Sequence, residues 1–282
     1  MSKTLRLATR GSRLALAQAG LVKEALEAKG ATVELVTVST RGDRDRTSPL
    51  SVIGGQGLFV REVEHCLLEG SADLAVHSGK DLPYELAEGL TIGGVPKAAA
   101  PHDVLVSRRG VSIRHIGSSS PRRVLECRRH YPQAVYSDLR GNVDTRLQKL
   151  RDGQYDGILL AKAGLERLQA DLSDFDVREF TPEEFLPAPC QGVLAVECRE
   201  EDTALRELLA SVSDPLTRKR FDLERALFAR LQADCSAAIG VYASFPTEEE
   251  TELSVLFREQ RMTRRGKDPD ALIEEVLREL IV

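Results

Sequence analysis

In the first hundred residues, short runs of apolar, often β-branched residues alternate with segments whose apolar residues recur at the helical period. The predicted elements are a strand over 4–8, a helix whose apolar residues run from 14 to 26 and which stops at Gly30, a strand over 32–39, a helix over 58–68 and a short buried strand over 74–77. The turn 79–83 then lies at the carboxyl end of a strand, which is the edge where open α/β sheets bind ligands.

A second segment repeats this order of elements. The pattern predicts a strand over 104–107, a turn over 117–120, a helix over 121–130, a strand over 134–137, a helix that ends at 151 and a strand over 157–161. We therefore expect two α/β lobes of similar size, because each segment contains its own apolar runs and its own strand-to-helix turns.

The pattern of the remaining residues predicts that the chain returns to the first lobe and then forms a third, smaller domain. A strand over 193–198 is expected to cross back into the first lobe, and a long amphipathic helix covers 214–231. Strands around 253–257, a basic hairpin and a helix over 268–280 complete the chain. The predicted domains are a first lobe of residues 1–96 and 193–212, a second lobe of residues 97–192 and a C-terminal domain of residues 213–282.

Composition narrows the class of protein. The 282 residues have a formal net charge of -5, which argues against nucleic-acid binding because phosphate contacts need a basic face. No apolar run approaches the roughly 18 residues of a membrane span, and the start of the chain has no signal core, so we expect a cytoplasmic protein without a membrane partner. The five cysteines include no C-x-x-C pair, so neither a disulfide framework nor a zinc site is predicted, and we expect no metal.

Two turns carry candidate chemistry. Three serines and Pro121 open a helix whose first turn contains Arg122 and Arg123, a pattern typical of an anion cradle. The turn after the strand 74–77 places Asp81 beside Lys80, so one acid accompanies many arginines. This combination suggests proton chemistry on a multiply anionic small molecule. Each residue also has a plainer interpretation, in which Asp81 only caps its own turn and the arginines are solvated helix faces.

The ordered motifs resemble the hydroxymethylbilane synthases, also called porphobilinogen deaminases. The matching segments are ATRGS at 8–12, TRGD at 40–43, GLF at 57–59, AVHSGKDLP at 75–83, SSSPRR at 118–123, LRGNVDTR at 139–146, AGLERL at 163–168 and the cysteine at 235. The resemblance covers nearly the whole chain. It implies two lobes built like periplasmic binding proteins, with mixed sheets, and a small α+β C-terminal domain.

The resemblance also implies a reaction. Four porphobilinogen units would be joined stepwise, with loss of ammonia, to a dipyrromethane primer attached covalently to Cys235. Water would then release hydroxymethylbilane, and the protein would act as a monomer without a metal. The segment 40–57 would form a lid that excludes water.

Site residues follow from the resemblance by position. Asp81 is the expected catalytic group. The expected cofactor-binding residues are Cys235, Lys80, Ser78, Arg122, Arg123, Ser120, Arg140 and Asp43. The expected substrate-binding residues are Arg10, Ser12, Gln18, Arg146, Arg167, Gln191, Phe59, Ser118 and Ser119.

The chain departs from the family pattern in a few places. Cys190 replaces a usual glycine, Ala233-Asp234 replaces Gly-Gly before Cys235, and Gln56 stands where many members have lysine. Two alternatives to a working synthase stay open. One is a non-catalytic bilobal protein that binds an anionic small molecule, and the other is a degenerate family member that binds pyrroles without turnover.

Overall fold

The computed structural model describes residues 3–39, 60–231 and 237–280. The strands are β1 (Leu5–Arg10), β2 (Val33–Val38), β3 (Leu74–Ser78), β4 (Leu90–Gly94), β5 (Asp103–Arg108), β6 (His115–Gly117), β7 (Val135–Ser137), β8 (Gly157–Ala161), β9 (Phe175–Phe180), β10 (Leu194–Arg199), β11 (Ile239–Ser244), β12 (Thr251–Phe257) and β13 (Gln260–Gly266). The helices are α1 (Arg13–Glu27), α2 (Arg61–Leu68), α3 (Pro121–Arg128), α4 (Val143–Arg151), α5 (Lys162–Arg167), α6 (Thr203–Ala210), α7 (Pro215–Leu231) and α8 (Pro269–Leu280).

One compact unit contains residues 1–99 and 193–221. Its sheet has the order β2-β1-β3-β10-β4, in which β1 is parallel to β2 and β3 while β10 runs antiparallel to β3 and β4. The predicted return of the chain into the first sheet is therefore confirmed. Apolar side chains of α1 and of the sheet, such as Leu7, Val22, Leu26 and Leu74, form its core.

A buried carboxylate ties the first strand of this unit to the start of β3. Asp73, which is 1% exposed, accepts hydrogen bonds from the Arg6 backbone N–H at 2.9 Å and from Lys3 Nζ at 2.8 Å. Arg6 Nε also donates to it at 3.1 Å. Burial alone would raise the pKa of Asp73, but the hydrogen bonds from Arg6 and Lys3 outweigh it and hold that pKa well below its usual range. The parallel pairing of β1 and β3 is thus reinforced by charge.

The other compact unit contains residues 100–192 and 222–282. Its larger sheet has the order β7-β6-β8-β5-β9. Strand β6 is parallel to β7 and β8, and β5 is antiparallel to β8 and β9. The parallel strands β6, β7 and β8 end at one edge of the sheet. The sequence pattern predicted β7 and β8 but not β6.

A smaller antiparallel sheet, β11-β12-β13, lies in the same unit. It has a core of its own, where Leu227 of α7 and Val276 of α8 pack on Val241 and Leu253. The α/β class with two mixed sheets and a small antiparallel sheet is confirmed. The three domain boundaries stay a prediction, because residues 222–282 group here with residues 100–192. None of the helices in the described ranges has the length and hydropathy needed to cross a membrane.

Candidate functional site

Two neighbouring parallel strands of the first unit deliver predicted site residues to the same sheet edge. Because β1 and β3 are paired in parallel, the turns that follow Arg10 and Ser78 leave the sheet side by side. Ser12 caps α1, and its hydroxyl accepts a hydrogen bond from the Ala15 N–H at 3.2 Å. From the next turn of that helix, the buried Gln18 side chain donates from Nε2 to Ser78 Oγ at 2.9 Å. This bond joins α1 to the carboxyl end of β3.

Asp81 ends the short 3₁₀ turn Gly79–Asp81 that follows β3. The turn is anchored on both sides: the Gly79 N–H donates to the Val193 carbonyl at 2.9 Å, and Leu82 is 1% exposed. Lys80 and Asp81 are both exposed. Within the described part of the chain, no group donates a hydrogen bond to the Asp81 carboxylate, so the plainer interpretation as a self-capping turn residue is not what the structure has. A fixed backbone thus presents an open carboxylate.

His77 lies on the buried side of the same strand. It is 7% exposed, and its Nε2 is 3.0 Å from Glu197 Oε2 of β10. Nearby, burial raises the pKa of the Glu64 carboxyl, and the charge of Glu197 adds to the effect. The buried pair joins β10 to β3, the strand that leads into the turn that carries Asp81.

The serine turn of the second unit follows β6 and opens α3. Ser120 caps the helix by accepting from the Arg123 N–H at 3.4 Å, and Pro121 occupies the first turn as predicted. Ser119 Oγ donates to the Leu139 carbonyl at 3.1 Å and accepts from the Leu139 N–H at 3.0 Å. The hydroxyl of Ser119 therefore fixes the loop that follows β7, beside the positive end of the α3 dipole.

Arg122 and Arg123 point into the protein, where a carboxylate binds both of them. Arg122 Nη1 lies 2.7 Å from Asp103 Oδ2, and Arg123 Nε lies 2.8 Å from Asp103 Oδ1. The two arginines are 4% and 7% exposed, and Asp103 is fully buried. Burial lowers the pKa of Arg122, while the charge of Asp103 opposes that effect. The forked recognition of a carboxylate expected from the sequence is present, but its partner here is a side chain of β5, so the predicted role of both arginines in cofactor binding stays a prediction.

Three more arginines gather at the ends of parallel strands in this unit. Arg140 is half-buried in the loop after β7, and Arg146 Nε donates to the Gly141 carbonyl at 2.7 Å. Arg167, on the helix after β8, donates from Nη2 to the Gly192 carbonyl at 2.6 Å, and burial lowers its pKa to about 10. The buried Gln191 donates from Nε2 to the Pro101 carbonyl at 2.6 Å. Backbone carbonyl groups thus hold the side chains of Arg146, Arg167 and Gln191.

The residue before Gln191 is one of the positions at which the chain departs from the family pattern. Cys190 is 1% exposed and has a backbone φ of 58°, a left-handed value that favours glycine. Its N–H donates to Glu224 Oε2 at 2.5 Å, and the other oxygen of Glu224 accepts from the Ala243 N–H at 3.0 Å. A buried carboxylate of α7 therefore holds a strained loop against β11.

A pocket of about 730 Å³ opens within the second unit. The serine turn 118–120 forms one part of its wall, Leu125 and Phe257 contribute apolar surface, and Leu231 and Ala237 complete it. The last two are the described residues that flank the segment 232–236, which contains Cys235. Hydroxyls, a helix N-terminus and apolar side chains therefore share one cavity of small-molecule size.

Three predicted site residues lie outside the described residues: Asp43, Phe59 and Cys235. Sequence reasoning in turn missed Asp103, Arg128 and Arg258, of which the two arginines line the pocket. The position of Asp103 at the first residue of an apolar strand was the only available signal for it, since an acid there needs a partner once the strand is buried.

Comparisons with known proteins agree with the motifs. The model of the family described as "Porphobilinogen deaminase, dipyromethane cofactor binding domain" matches residues 5–207. A porphobilinogen deaminase of Syntrophobacter fumaroxidans is 44% identical over 251 residues, which are 86% of this chain and 80% of that protein. The Nitratidesulfovibrio vulgaris enzyme of the same name is 42% identical over 275 residues, 93% of this chain and 87% of that protein. Among solved structures, the periplasmic VFT2 domain of Bordetella pertussis BvgS is 14% identical with a TM-score of 0.45 and covers 79% of this chain and 92% of that domain. The family match and the two relatives show that the chain belongs to the porphobilinogen deaminase family.

Proposed function

We propose that this chain is a hydroxymethylbilane synthase, a transferase that joins four porphobilinogen units with loss of ammonia and releases hydroxymethylbilane. The proposal includes a dipyrromethane on Cys235, a monomeric enzyme and a cytoplasmic location. Family membership over residues 5–207 supports the reaction class. The structural observation that carries the proposal is the exposed Asp81 carboxylate, without a donor among the described residues, at the edge that also holds Ser12 and Ser78.

The Asp81 carboxylate is placed for the charge that the reaction creates. When a protonated amine leaves the aminomethyl carbon of a substrate pyrrole, positive charge develops on the ring, and its N–H becomes a stronger donor. A fixed carboxylate oxygen stabilises that charge and can accept the proton that the attacked ring then loses. Aspartate has few rotatable bonds, and the anchored turn Gly79–Asp81 fixes its backbone. One carboxylate can thus serve each identical condensation.

Basic and hydroxyl groups suit the remaining part of the substrate. Each porphobilinogen unit carries an acetate and a propionate, so a growing chain gains two negative charges at each step. Charge-assisted hydrogen bonds stabilise such groups by about 1.5–3 kcal/mol each. The proposed partners are four arginines that follow parallel strands: Arg10, Arg140, Arg146 and Arg167. Arg10 ends β1, Arg140 lies in the loop after β7, and the other two lie on the helices after β7 and β8.

The pocket of the second unit fits a dipyrromethane. Its apolar wall suits the pyrrole rings, and the serine turn suits their carboxylates. The pocket residue Ala237 follows Cys235 by two positions, a step that spans at most about 7 Å. When bound, the dipyrromethane supplies the pyrrole carbon to which the first substrate unit is joined. Ser118, Ser119 and Ser120 are the groups of the chain proposed to hold it there.

Intact-mass measurement and an ammonia assay test the proposal together. The purified protein should be heavier than its sequence by one dipyrromethane, and it should release ammonia when porphobilinogen is added. Asp81→Asn should keep the added mass but lose about 10²- to 10⁴-fold in turnover, because the general acid–base and electrostatic contributions disappear. Glu88→Gln, which removes another exposed acid seven residues later, is the matched control and should turn over normally.

The outcomes separate the alternatives. A protein of plain sequence mass that binds porphobilinogen and releases no ammonia would be the non-catalytic binding protein. Added mass without ammonia release from the wild type would identify a degenerate member of the family. Near-normal turnover by Asp81→Asn would remove Asp81 from the proposed role while leaving the reaction class intact.

A further inference from the structure

Two arginines border the pocket of the second unit without a carboxylate partner. Arg128, the last residue of α3, lies over the Tyr136 ring at 5.4 Å, and Arg258 lies over the Phe257 ring at 5.2 Å. Neither forms an ion pair with any residue that the structure describes, although Asp138 and Glu259 also line the pocket. Aromatic contacts therefore orient both guanidinium groups and leave their N–H donors open.

The other basic residues of the small sheet behave differently. Arg261 pairs with the buried Glu126 at 2.9 Å, Arg265 pairs with Glu252 at 2.5 Å, and Arg264 pairs with Glu279. The chain has 44 acidic and 39 basic residues, so acids are the more numerous class. A shortage of acids therefore does not explain why Arg128 and Arg258 lack an acidic partner. The lack is specific to the pocket that they line.

The backbone at Arg258 gives an independent reason to look for a ligand. Residues 258 and 259 form the two-residue turn between β12 and β13, since Phe257 pairs with Gln260. Arg258 has a φ of 56°. Positive φ at the first central position only is the pattern of type II′ turns, which strongly favour glycine there. An arginine at this position costs conformational energy, and such strain clusters at ligand clamps.

The same turn is attached to the chain just after Cys235. The Arg258 N–H donates to the Ala238 carbonyl at 2.9 Å, and Ala238 follows Cys235 by three residues and also lines the pocket. The turn is thus fixed relative to the part of the pocket wall that is closest in sequence to the attachment cysteine.

We propose that Arg258, assisted by Arg128, binds carboxylate groups of the oligopyrrole that grows on Cys235, in a part of the pocket beyond the serine turn proposed for the primer, where units already added are held. This inference rests on the proposed synthase function. The ligand class is a flexible chain of pyrrole rings with acetate and propionate arms: Phe257 and Leu125 offer surface to the rings, and the two guanidinium groups offer forks to the arms. A volume of about 730 Å³ lies in the range of pockets that enclose small molecules.

The test is the distribution of covalent intermediates on the intact holoenzyme. Wild-type protein and variants receive about three equivalents of porphobilinogen and are quenched, and intact mass then counts the species with zero, one, two or three added units. Arg258→Gln should reduce the share of the most extended species about tenfold, because loss of one charge-assisted bond changes an equilibrium by about that factor. Arg258→Lys should restore part of that share, since it keeps the charge but loses the fork.

Controls distinguish the possible failures. Arg265→Gln removes a positive charge from the same sheet, from an arginine already paired with Glu252, and should leave the distribution unchanged. Arg128→Gln provides a second route if Arg258→Gln does not fold, and it should shift the distribution in the same direction. Equal distributions for wild type, Arg258→Gln and Arg128→Gln would overturn the subsite. Plain sequence mass and no ammonia release in the wild type would instead overturn the synthase function itself.

Discussion

Removal of the buried Asp103 charge should destabilise the second unit far more than removal of a similar exposed charge. Asp103 is fully buried and accepts from Arg122 and Arg123 at 2.7 and 2.8 Å. In Asp103→Asn both guanidinium groups keep their charge but lose the carboxylate that they share, and an amide N–H₂ faces a donor. Breaking a buried pair on one side costs about 3–5 kcal/mol. Carbonyl groups of Leu186 and Leu159 also accept from these arginines, so we expect the lower end, about 3 kcal/mol.

Asp176 on the neighbouring strand β9 is the matched control. It lies 3.8 Å from Arg109, and both side chains are 64% exposed, so Asp176→Asn should cost less than about 1 kcal/mol. The chain has no tryptophan, and far-UV circular dichroism in urea is the suitable probe. With an m-value of about 1–3 kcal/mol/M, Asp103→Asn should lower the midpoint by about 1 M or more at unchanged m.

A double-mutant cycle tests the physical reason for the loss. Arg122→Met removes one of the two charges that Asp103→Asn leaves unpaired, so the double variant should lose less free energy of unfolding than the sum of the single variants. The reasoning is refuted if Asp103→Asn and Asp176→Asn differ by less than about 1 kcal/mol, or if the cycle shows no coupling.

Two further predictions concern stability. Asp73→Asn should lower the free energy of unfolding at pH 7. Its difference from the wild type should shrink as the pH falls below about 4, because the folded-state pKa of Asp73 lies below the unfolded value and the contribution of the carboxylate is lost on protonation. Urea unfolding at several pH values measures this difference, and a difference that grows on acidification contradicts the prediction. Cys190→Gly should be more stable than Cys190→Ala by about 1 kcal/mol, the reverse of the usual order, because φ is 58° there; thermal unfolding of the two variants decides the sign.

The sequence predicted most of the parallel strands of both lobes, although not β6, because those strands are encoded locally. Strands β1, β3 and β8 are apolar runs followed by turn residues, and their observed limits lie within about two residues of the predicted ones. Helix α3 was found from its serines and proline, and its predicted end at residue 130 was two residues too late. Short-range signals were sufficient wherever an element is buried on a continuous face.

The missed strands lacked such a signal. Strand β9 is exposed at four of its six positions, as an edge strand can be, so its polar residues concealed it. Strand β4 contains Gly93 and Gly94, which read as loop residues. A Cβ at Gly93 would lie 2.8 Å from Leu209 Cδ1, and one at Gly94 would lie 3.0 Å from the Leu209 carbonyl oxygen. The reason for both glycines is thus a helix more than a hundred residues later, which no local pattern contains.

The difference between local and long-range information also applies to the arginines. It separates Arg122 and Arg123, which were predicted to bind the cofactor, from the arginines that line the pocket. A sequence shows where a guanidinium lies along the chain but does not show which carboxylate folding brings to it. Arg122 and Arg123 meet Asp103 from β5. Arg128, one helical turn and a half further on, lies over the Tyr136 ring and pairs with no carboxylate among the described residues. In a chain with more acids than bases, a positive site needs the fold to keep acids away from chosen arginines. The placement of carboxylates in the fold therefore decides which arginines are available to an anionic ligand. The same argument applies to the open carboxylate of Asp81: no cationic side chain of the described structure pairs with it, so it is available to a positive charge on the substrate.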